Sequence, residues 1–386
     1  MRKNLVLLTA GLLGLTATPG GFGQGFVVNH RHVVLFERIP LAQLEAARDL
    51  RLLFSDRSVG VNTDEALDCL TAERWPDTTA VCRRDYYEPW NWKTYSEADW
   101  LAGLVPARIL FEPDPVLYDR SNWTFEYRAG SWEQLTCDFV QALAPAYLAT
   151  KDVLSYQFSY LNVTDGDDIA DPVTGFFADR PDHCDIGDVE ALIAQHPDKI
   201  FVFWTTSLAR SIGTSVSTEF NEQMRAYCRT HGRILFDFAA IESHRPDGSP
   251  CYDNRDGVPY VAMNGASEDH PDDGFDYPAI CQDYTTEVDG GHLGSVSAGR
   301  IRIAKALWVL MARIAGWDPF SGDLDDDGDV DGVDFAVLAE CVVGPDVTVA
   351  PPACDPADFV RSDMDEDEDV DGADLARFQR AFSGSQ

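Results

Sequence analysis

The sequence predicts an α/β protein, with a mostly parallel sheet covered by helices on both faces and a small acidic helical module after it. Three observations carry this. Short apolar runs alternate with segments whose apolar positions recur every three or four residues, which is the pattern of βαβ units. The chain has 386 residues, 45% of them hydrophobic, enough for one large domain and a smaller one. Charge is unevenly spread: Ser321–Gln386 holds 19 Asp and Glu against three Arg, a net −16 of the chain's −35. A chain this acidic is a poor match for nucleic-acid phosphates or anionic membrane surfaces.

Taken in order, Met1-Arg2-Lys3-Asn4, the apolar run Leu5–Leu15 and the small residues after it read as a secretory signal peptide over 1–24. The run is shorter than the ~20 apolar residues that cross a bilayer, and no other stretch qualifies. No membrane span is expected, and a secreted or cell-surface location is. Nine cysteines fit an oxidising compartment. Cys69/Cys82, Cys251/Cys281 and Cys341/Cys354 are candidate bridges, which leaves Cys137, Cys184 and Cys228 with at least one odd thiol. No C-x-x-C occurs, so neither a zinc ribbon nor a thioredoxin-type motif is expected.

Leu41–Leu50 is helical in pattern. Leu52–Phe54 is a buried strand that stops at Ser55-Asp56-Arg57-Ser58, and a helix follows with Ala66, Leu67 and Leu70 inward. A serine at such a turn either caps the helix or stands clear of the sheet as a nucleophile beside helix-start amides. Cys69–Trp100 is irregular and aromatic; Trp90–Trp100 could offer a sugar-stacking surface or cover the core. Ala107–Phe111 and Trp123–Tyr127 are strand candidates. Ser131 caps a helix reaching about Leu148. Asp152–Tyr160, Lys199–Thr205 and Arg233–Phe238 read as strands, Asp188–His196 and Ser217–Thr230 as helices. Asp237 and Glu242 follow a strand and are candidate acids. After a long loop from Glu242 to Thr286, Ser297–Ala315 shows one apolar helical face (Ile301, Ala304, Leu307, Trp308, Met311). The main domain is assigned to 25–318 and the acidic module to 319–386.

In that module Asp323-Leu-Asp-Asp-Asp-Gly-Asp-Val-Asp-Gly-Val-Asp and Asp363-Met-Asp-Glu-Asp-Glu-Asp-Val-Asp-Gly-Ala-Asp align at an offset of 40 residues. Carboxylates fall at loop positions 1, 3, 5, 9 and 12, and position 7 offers a carbonyl: this is the calcium loop of an EF-hand. The expected ligand residues are Asp323, Asp325, Asp327, Asp329, Asp331 and Asp334 in the first loop. In the second they are Asp363, Asp365, Asp367, Asp369, Asp371 and Asp374. Gly328 eases the turn in the first loop, whereas Glu368 replaces it in the second. Asp at position 12 and the paired C-terminal placement resemble a type I dockerin repeat over Gly322–Phe382. The resemblance implies calcium in both loops and attachment to a cohesin-like or cell-surface partner, in a family linked to polysaccharide breakdown.

Asp289-Gly290-Gly291-His292 precedes the last main-domain helix. Ser58, Asp289 and His292 supply a nucleophile, an orienting acid and a base, the parts of an acyl-transfer triad. A serine after the first core strand with Asp-x-x-His before the last helix resembles the SGNH (GDSL-like) hydrolases. Phe54-Ser55-Asp56-Arg57-Ser58-Val59-Gly60 stands for the family's first block, Tyr160-Leu161-Asn162-Val163 for its third and Asp289–His292 for its last, over about Arg51–Trp317. The resemblance implies a flavodoxin-like three-layer sandwich, Ser58, Asp289 and His292 as catalytic residues, and Asn162 as an oxyanion donor, with no cofactor in the hydrolase domain. Ser55 stays in competition with Ser58. With the module, the expected activity is that of a secreted esterase or deacetylase on esterified carbohydrate. The alternative is a non-catalytic binding or cell-surface protein on a degenerate SGNH-like domain.

Overall fold

The computed structural model describes residues 25–87, 91–211, 214–261, 265–268 and 270–383. Residues 1–24, where a signal peptide is expected, and Trp90 lie outside them. The chain begins with a short strand β1 (Val27–Val28), a 3-10 segment His32–Arg38 and helix α1 (Leu41–Asp49). Strand β2 (Leu52–Asp56) leads directly into α2 (Ser58–Leu70). A hairpin, β3 (Arg84–Tyr87) and β4 (Asn91–Thr94), and the short α3 (Glu97–Leu101) follow. Then come β5 (Thr124–Tyr127), α4 (Trp132–Asp138), a π-helical turn and α5 (Ala144–Tyr147), β6 (Val153–Tyr156) and α6 (Ile186–Gln195). The domain continues with β7 (Ile200–Trp204), α7 (Thr214–His231), β8 (Ile234–Phe236) and α8 (Phe238–Ser243). A small ribbon, β9 (Tyr260–Val261) with β10 (Ser267–Glu268), and α9 (Ser297–Ile314) complete it.

Six strands form one sheet in the order β1-β8-β7-β6-β2-β5, and every neighbouring pair is parallel. Successive side chains on a strand point to opposite faces, and the core divides accordingly. Leu52, Phe54, Val202, Trp204 and Phe236 join α1, α2 and α9 on one face. On the other, Leu53, Leu154, Phe201, Phe203 and Leu235 join α4, α6 and α7. Both faces are covered, as a parallel sheet requires.

Ala107–Phe111 forms no strand. A 3-10 turn occupies Ala107–Ile109, and the Trp75 indole donates to the Ile109 carbonyl at 3.0 Å, so these alternating apolar residues enter the core from a loop. The one-faced reading of the last helix also needs correcting. In α9 only Lys305 and Arg313 escape burial, because the 3-10 segment His32–Arg38, α1, α2 and α8 wrap it. Its buried arginines find acceptors: Arg302 donates to the Ile241 and His30 carbonyls, and Arg300 to the Gly294 carbonyl and the Glu65 carboxylate.

Four disulfides are present: Cys69–Cys82, Cys137–Cys184, Cys251–Cys281 and Cys341–Cys354. The odd thiol is Cys228, which is buried and pushed up to about 12 by that burial. Among the described residues no helix is long and apolar enough to cross a membrane. These features fit an extracellular protein.

Beyond α9, α10 (Gly332–Cys341), α11 (Pro356–Ser362) and α12 (Gly372–Ala381) enclose a core of their own around Leu324, Leu338, Phe359, Val370 and Phe378.

The chain visits β5 on one side of β2 and then β6 on the other. The carboxyl end of β2 is therefore where the winding reverses, and crevices for ligands open at such points in parallel sheets. Ser58 stands there.

Candidate active site and acidic loops

Strand β2 ends at Asp56, Arg57 turns the backbone (φ −85°, ψ −137°) and Ser58 is the first residue of α2. The N-cap residue Arg57 makes no side-chain capping bond, and the described hydrogen bond of the Ser58 hydroxyl runs to His292. Gly60 makes the tight turn feasible. A Cβ there would lie 2.5 Å from the Phe125 ring and 2.8 Å from the Asp56 Cβ, so only glycine lets the first turn of α2 close onto the sheet.

The Ser58 Oγ lies 2.7 Å from His292 Nε2. The other ring nitrogen, Nδ1, lies 2.7 Å from Glu287 Oε1, and Glu287 Oε2 accepts from the His292 backbone amide at 2.9 Å. With Nδ1 protonated toward Glu287, Nε2 is the acceptor for the serine hydroxyl. The carboxylate on the histidine is thus that of Glu287, which corrects the assignment to Asp289. The loop Thr285–Leu293 folds back on itself and brings the residue five before His292 under the ring. Among the described residues Asp289 engages through its backbone, its carbonyl accepting from Ser211 Oγ at 3.3 Å.

The two glycines of the Asp-Gly-Gly-His stretch have separate tasks. A Cβ on Gly290 would sit 2.0 Å from Glu287 Oε2, and one on Gly291 would sit 2.1 Å from the Tyr160 ring. Their absence lets Glu287 reach the histidine and lets Tyr160 stand edge-on to it, ring centroids 5.8 Å apart. Thr285 Oγ1 donates to the His292 carbonyl at 2.6 Å and accepts from the Glu287 amide at 3.0 Å. Asn62, buried on α2, accepts the Leu293 amide at 3.0 Å. Glu287, Thr285 and Asn62 are site residues that the sequence reading missed. Their only signal was a position shortly before the histidine or one helical turn after the serine.

Glu287 raises the pKa of His292 above 6.5, outweighing the burial that lowers it. Asp56, directly below the turn, is fully enclosed, and neither carboxylate oxygen has a well-formed hydrogen bond among the described residues. Burial pushes it up to about 7, against the pull of the Arg57 and Gly60 amides and the Arg57 and His292 charges.

The remaining candidates are placed as follows. Ser55 is buried within β2, paired to both neighbouring strands, and the histidine meets Ser58. Asn162 is buried at the end of a 3-10 turn. Its Oδ1 accepts from the Ser159 amide at 3.1 Å and its Nδ2 donates to the Gly130 carbonyl at 2.9 Å, so it binds together the loops after β5 and β6. Asp237 is structural: it caps α8 and pairs with Arg225 at 2.7 Å. Glu242 is buried, accepts the Leu208 amide and is pushed well above the usual carboxylate range by burial and by Asp56. Trp92 is 44% exposed with Arg84 over its ring at 4.1 Å.

In each acidic loop, ligand atoms of positions 1, 3 and 12 converge within 4.8 Å: Asp323, Asp325 and Asp334, then Asp363, Asp365 and Asp374. A second grouping joins positions 7, 9 and 12: Asp329, Asp331 and Asp334, then Asp369, Asp371 and Asp374. Asp327 and Asp367 stand outside these groupings; each accepts the backbone amide two residues on, at 3.1 and 3.3 Å. Asp334 and Asp374 are completely buried. Burial and neighbouring carboxylates push Asp323, Asp325, Asp365 and Asp374 upward, and Asp363 to about 6. Asp365 Oδ1 and Asp369 Oδ1 are buried without a partner among the described residues. Clustered oxygen donors of this kind can bind a hard metal ion. Glu368 adopts φ +85°, close to the +96° of Gly328, so the second loop makes the same turn, where a side chain costs about 1 kcal/mol or more.

The chain matches no known family model, and no curated protein and no solved structure is significantly similar to it.

Proposed function

We propose that this protein is a secreted serine ester hydrolase of the SGNH-like type, on a flavodoxin-like three-layer domain, with a calcium-binding, dockerin-like EF-hand module at its C-terminal end. The observation that carries the reading is the continuous Ser58–His292–Glu287 array, with both links at 2.7 Å, at the switch point of a parallel sheet. Ser58 Oγ attacks the ester carbonyl and its proton passes to His292 Nε2. Glu287 holds the ring tautomer and stabilises the imidazolium. In this reading the Ser58 and Val59 amides at the start of α2 stabilise the oxyanion. As the C–O bond breaks, His292 returns the proton to the leaving alcohol; water then releases the acid from the acyl-serine by the reverse relay.

The acidic loops, made of hard oxygen ligands at alternating positions, support calcium as the cation, which would neutralise the clustered carboxylates and hold each loop to the helix after it. Esterified carbohydrate is the substrate class suggested by the dockerin-like pair, with a cohesin-like or cell-surface partner.

The test is p-nitrophenyl acetate turnover and fluorophosphonate labelling. The native protein should turn over the ester and carry the label on Ser58, and Ser58→Ala should lose both while keeping its circular dichroism. A folded native protein that neither labels nor turns over substrate would support the binding-protein alternative instead.

A further inference from the structure

The described ion pairs join the acidic module to the α/β domain through its second loop and through α11. Arg31, just after β1, donates from Nη1 to Asp363 Oδ2 at 2.8 Å, and the two side chains are 14% and 4% exposed. Asp363 is position 1 of the second loop. Its carboxylate also accepts the loop's own amides from Asp367 and Glu368, each at 3.0 Å. Arg313 of α9 pairs with Glu366 of the same loop at 3.4 Å, donates to the Val27 carbonyl at 3.0 Å and stacks on Phe26 and Phe320. Arg38 pairs with Asp355 and Asp358, both at 3.3 Å. Beneath these pairs Ala357 and Val360 of α11 belong to the main-domain core. The first loop is held from within the module: Arg361 of α11 donates to the Asp323 and Leu324 carbonyls and to Asp326.

We infer that the second loop is a calcium-dependent clasp on the α/β domain, with Arg31 as the residue that positions its first ligand. This rests on calcium being the bound ion. Arg31 and the Glu368 amide hold Asp363 Oδ2, and Oδ1, which accepts the Asp367 amide, keeps a lone pair for the cation. Without the cation, Asp363, Asp365 and Asp374 repel one another inside the loop, and the loop's share of the seam, the pairs to Arg31 and Arg313, loses its fixed shape. With it, module and domain form one cooperative unit. Buried Asp369, its Oδ1 unpartnered among the described residues, is a further donor in the same loop.

The chain supplies a domain-specific reporter, because all nine tryptophans lie at or before Trp317 and the module has none. The experiment follows thermal unfolding of the full-length secreted protein by tryptophan fluorescence, in calcium chloride and in EDTA, with bound calcium counted by equilibrium dialysis. Calcium should raise the tryptophan-detected midpoint by roughly 5 °C or more. Arg31→Gln should lose most of that gain while still binding two ions, and Arg31→Lys should recover part of it. Asp323→Asn should lose one ion and keep most of the gain. If the native protein binds two ions with no change in the tryptophan-detected midpoint, the clasp is wrong and the calcium assignment stands. If it binds none, the calcium assignment itself fails and the clasp with it. Equal loss of the gain in Asp323→Asn and Arg31→Gln would overturn the assignment to the second loop.

Discussion

Replacing Glu287 by glutamine tests which carboxylate serves the histidine. In the transition state of the proposed acylation His292 carries a positive charge, and Glu287 lies 2.7 Å from Nδ1. With charge centres about 4 Å apart and an effective dielectric near 20, the attraction is about 4 kcal/mol. The two side chains are 33% and 29% exposed, and solvent screening brings this to about 2–4 kcal/mol. Glu287→Gln should therefore lower kcat roughly 30- to 1,000-fold, more if the amide presents a donor to Nδ1 and imposes the wrong tautomer. Asp289→Asn should change kcat less than about threefold, since among the described residues it engages through its backbone. The pH profile supplies a second readout. Hydrolysis needs neutral His292, so the rate rises with pH through the histidine pKa, which Glu287 holds above 6.5. Removing that carboxylate leaves burial, which lowers the value, and the acidic limb should move to lower pH. The assay is kcat and kcat/KM for p-nitrophenyl acetate from pH 5 to 9. A larger loss in Asp289→Asn than in Glu287→Gln, or a Glu287→Gln profile unmoved in pH, would refute the reasoning.

Three further outcomes are expected. Asn62→Ala leaves the buried Leu293 amide without its acceptor and should cost about 1–3 kcal/mol in urea unfolding, with reduced kcat as the histidine loop loosens; Asn62→Asp, which keeps an acceptor, should recover most of the stability. Gly291→Ala drives a methyl into the Tyr160 ring and should depress esterase activity at least tenfold, while Gly316→Ala, where nothing lies within 4 Å, should retain activity despite its strained positive φ. For Asp56 the sign follows from a folded pKa of about 7 against 3.8: the penalty is absent below 3.8, grows as pH rises and is complete above 7. Asp56→Asn should therefore stabilise the fold at pH 8 by up to ~4 kcal/mol and by little at pH 4, measured as urea midpoints at both pH values.

The sheet could be read from the sequence because parallel strands are buried on both faces and become continuous apolar runs. Leu52–Phe54 and Ile200–Trp204 are such runs, and both are strands. Val27–Val28 could not be found that way. With two residues it has no periodicity, and its place at the sheet edge depends on pairing with Leu235 and Phe236. The same limit explains Ala107–Phe111, whose alternation is real but whose backbone has no neighbouring strand to bond. In the site, Ser58 and His292 lay at positions that topology alone makes special, a turn after the first core strand and the loop before the last helix. The acid did not. Its partner is chosen by how the loop folds, and that depends on Gly290 leaving room for a carboxylate from five residues before the histidine rather than three.

This difference bears on how the loop works as a unit. Glu287 receives the His292 amide as well as Nδ1, so one carboxylate fixes the backbone and the ring of the same residue. Thr285 then ties the amide of Glu287 to the carbonyl of His292, and Asn62 anchors the next amide to the helix that begins with Ser58. Through Asn62 and the Ser58 hydroxyl the histidine loop is thus tied to α2 at two points. An Asp-x-x-His arrangement could orient the imidazole, but it would leave the His292 amide to another partner. Here the histidine cannot shift relative to the serine without breaking hydrogen bonds at both ends of the loop. The array is therefore set before any substrate binds, as electrostatic stabilisation of a transition state requires.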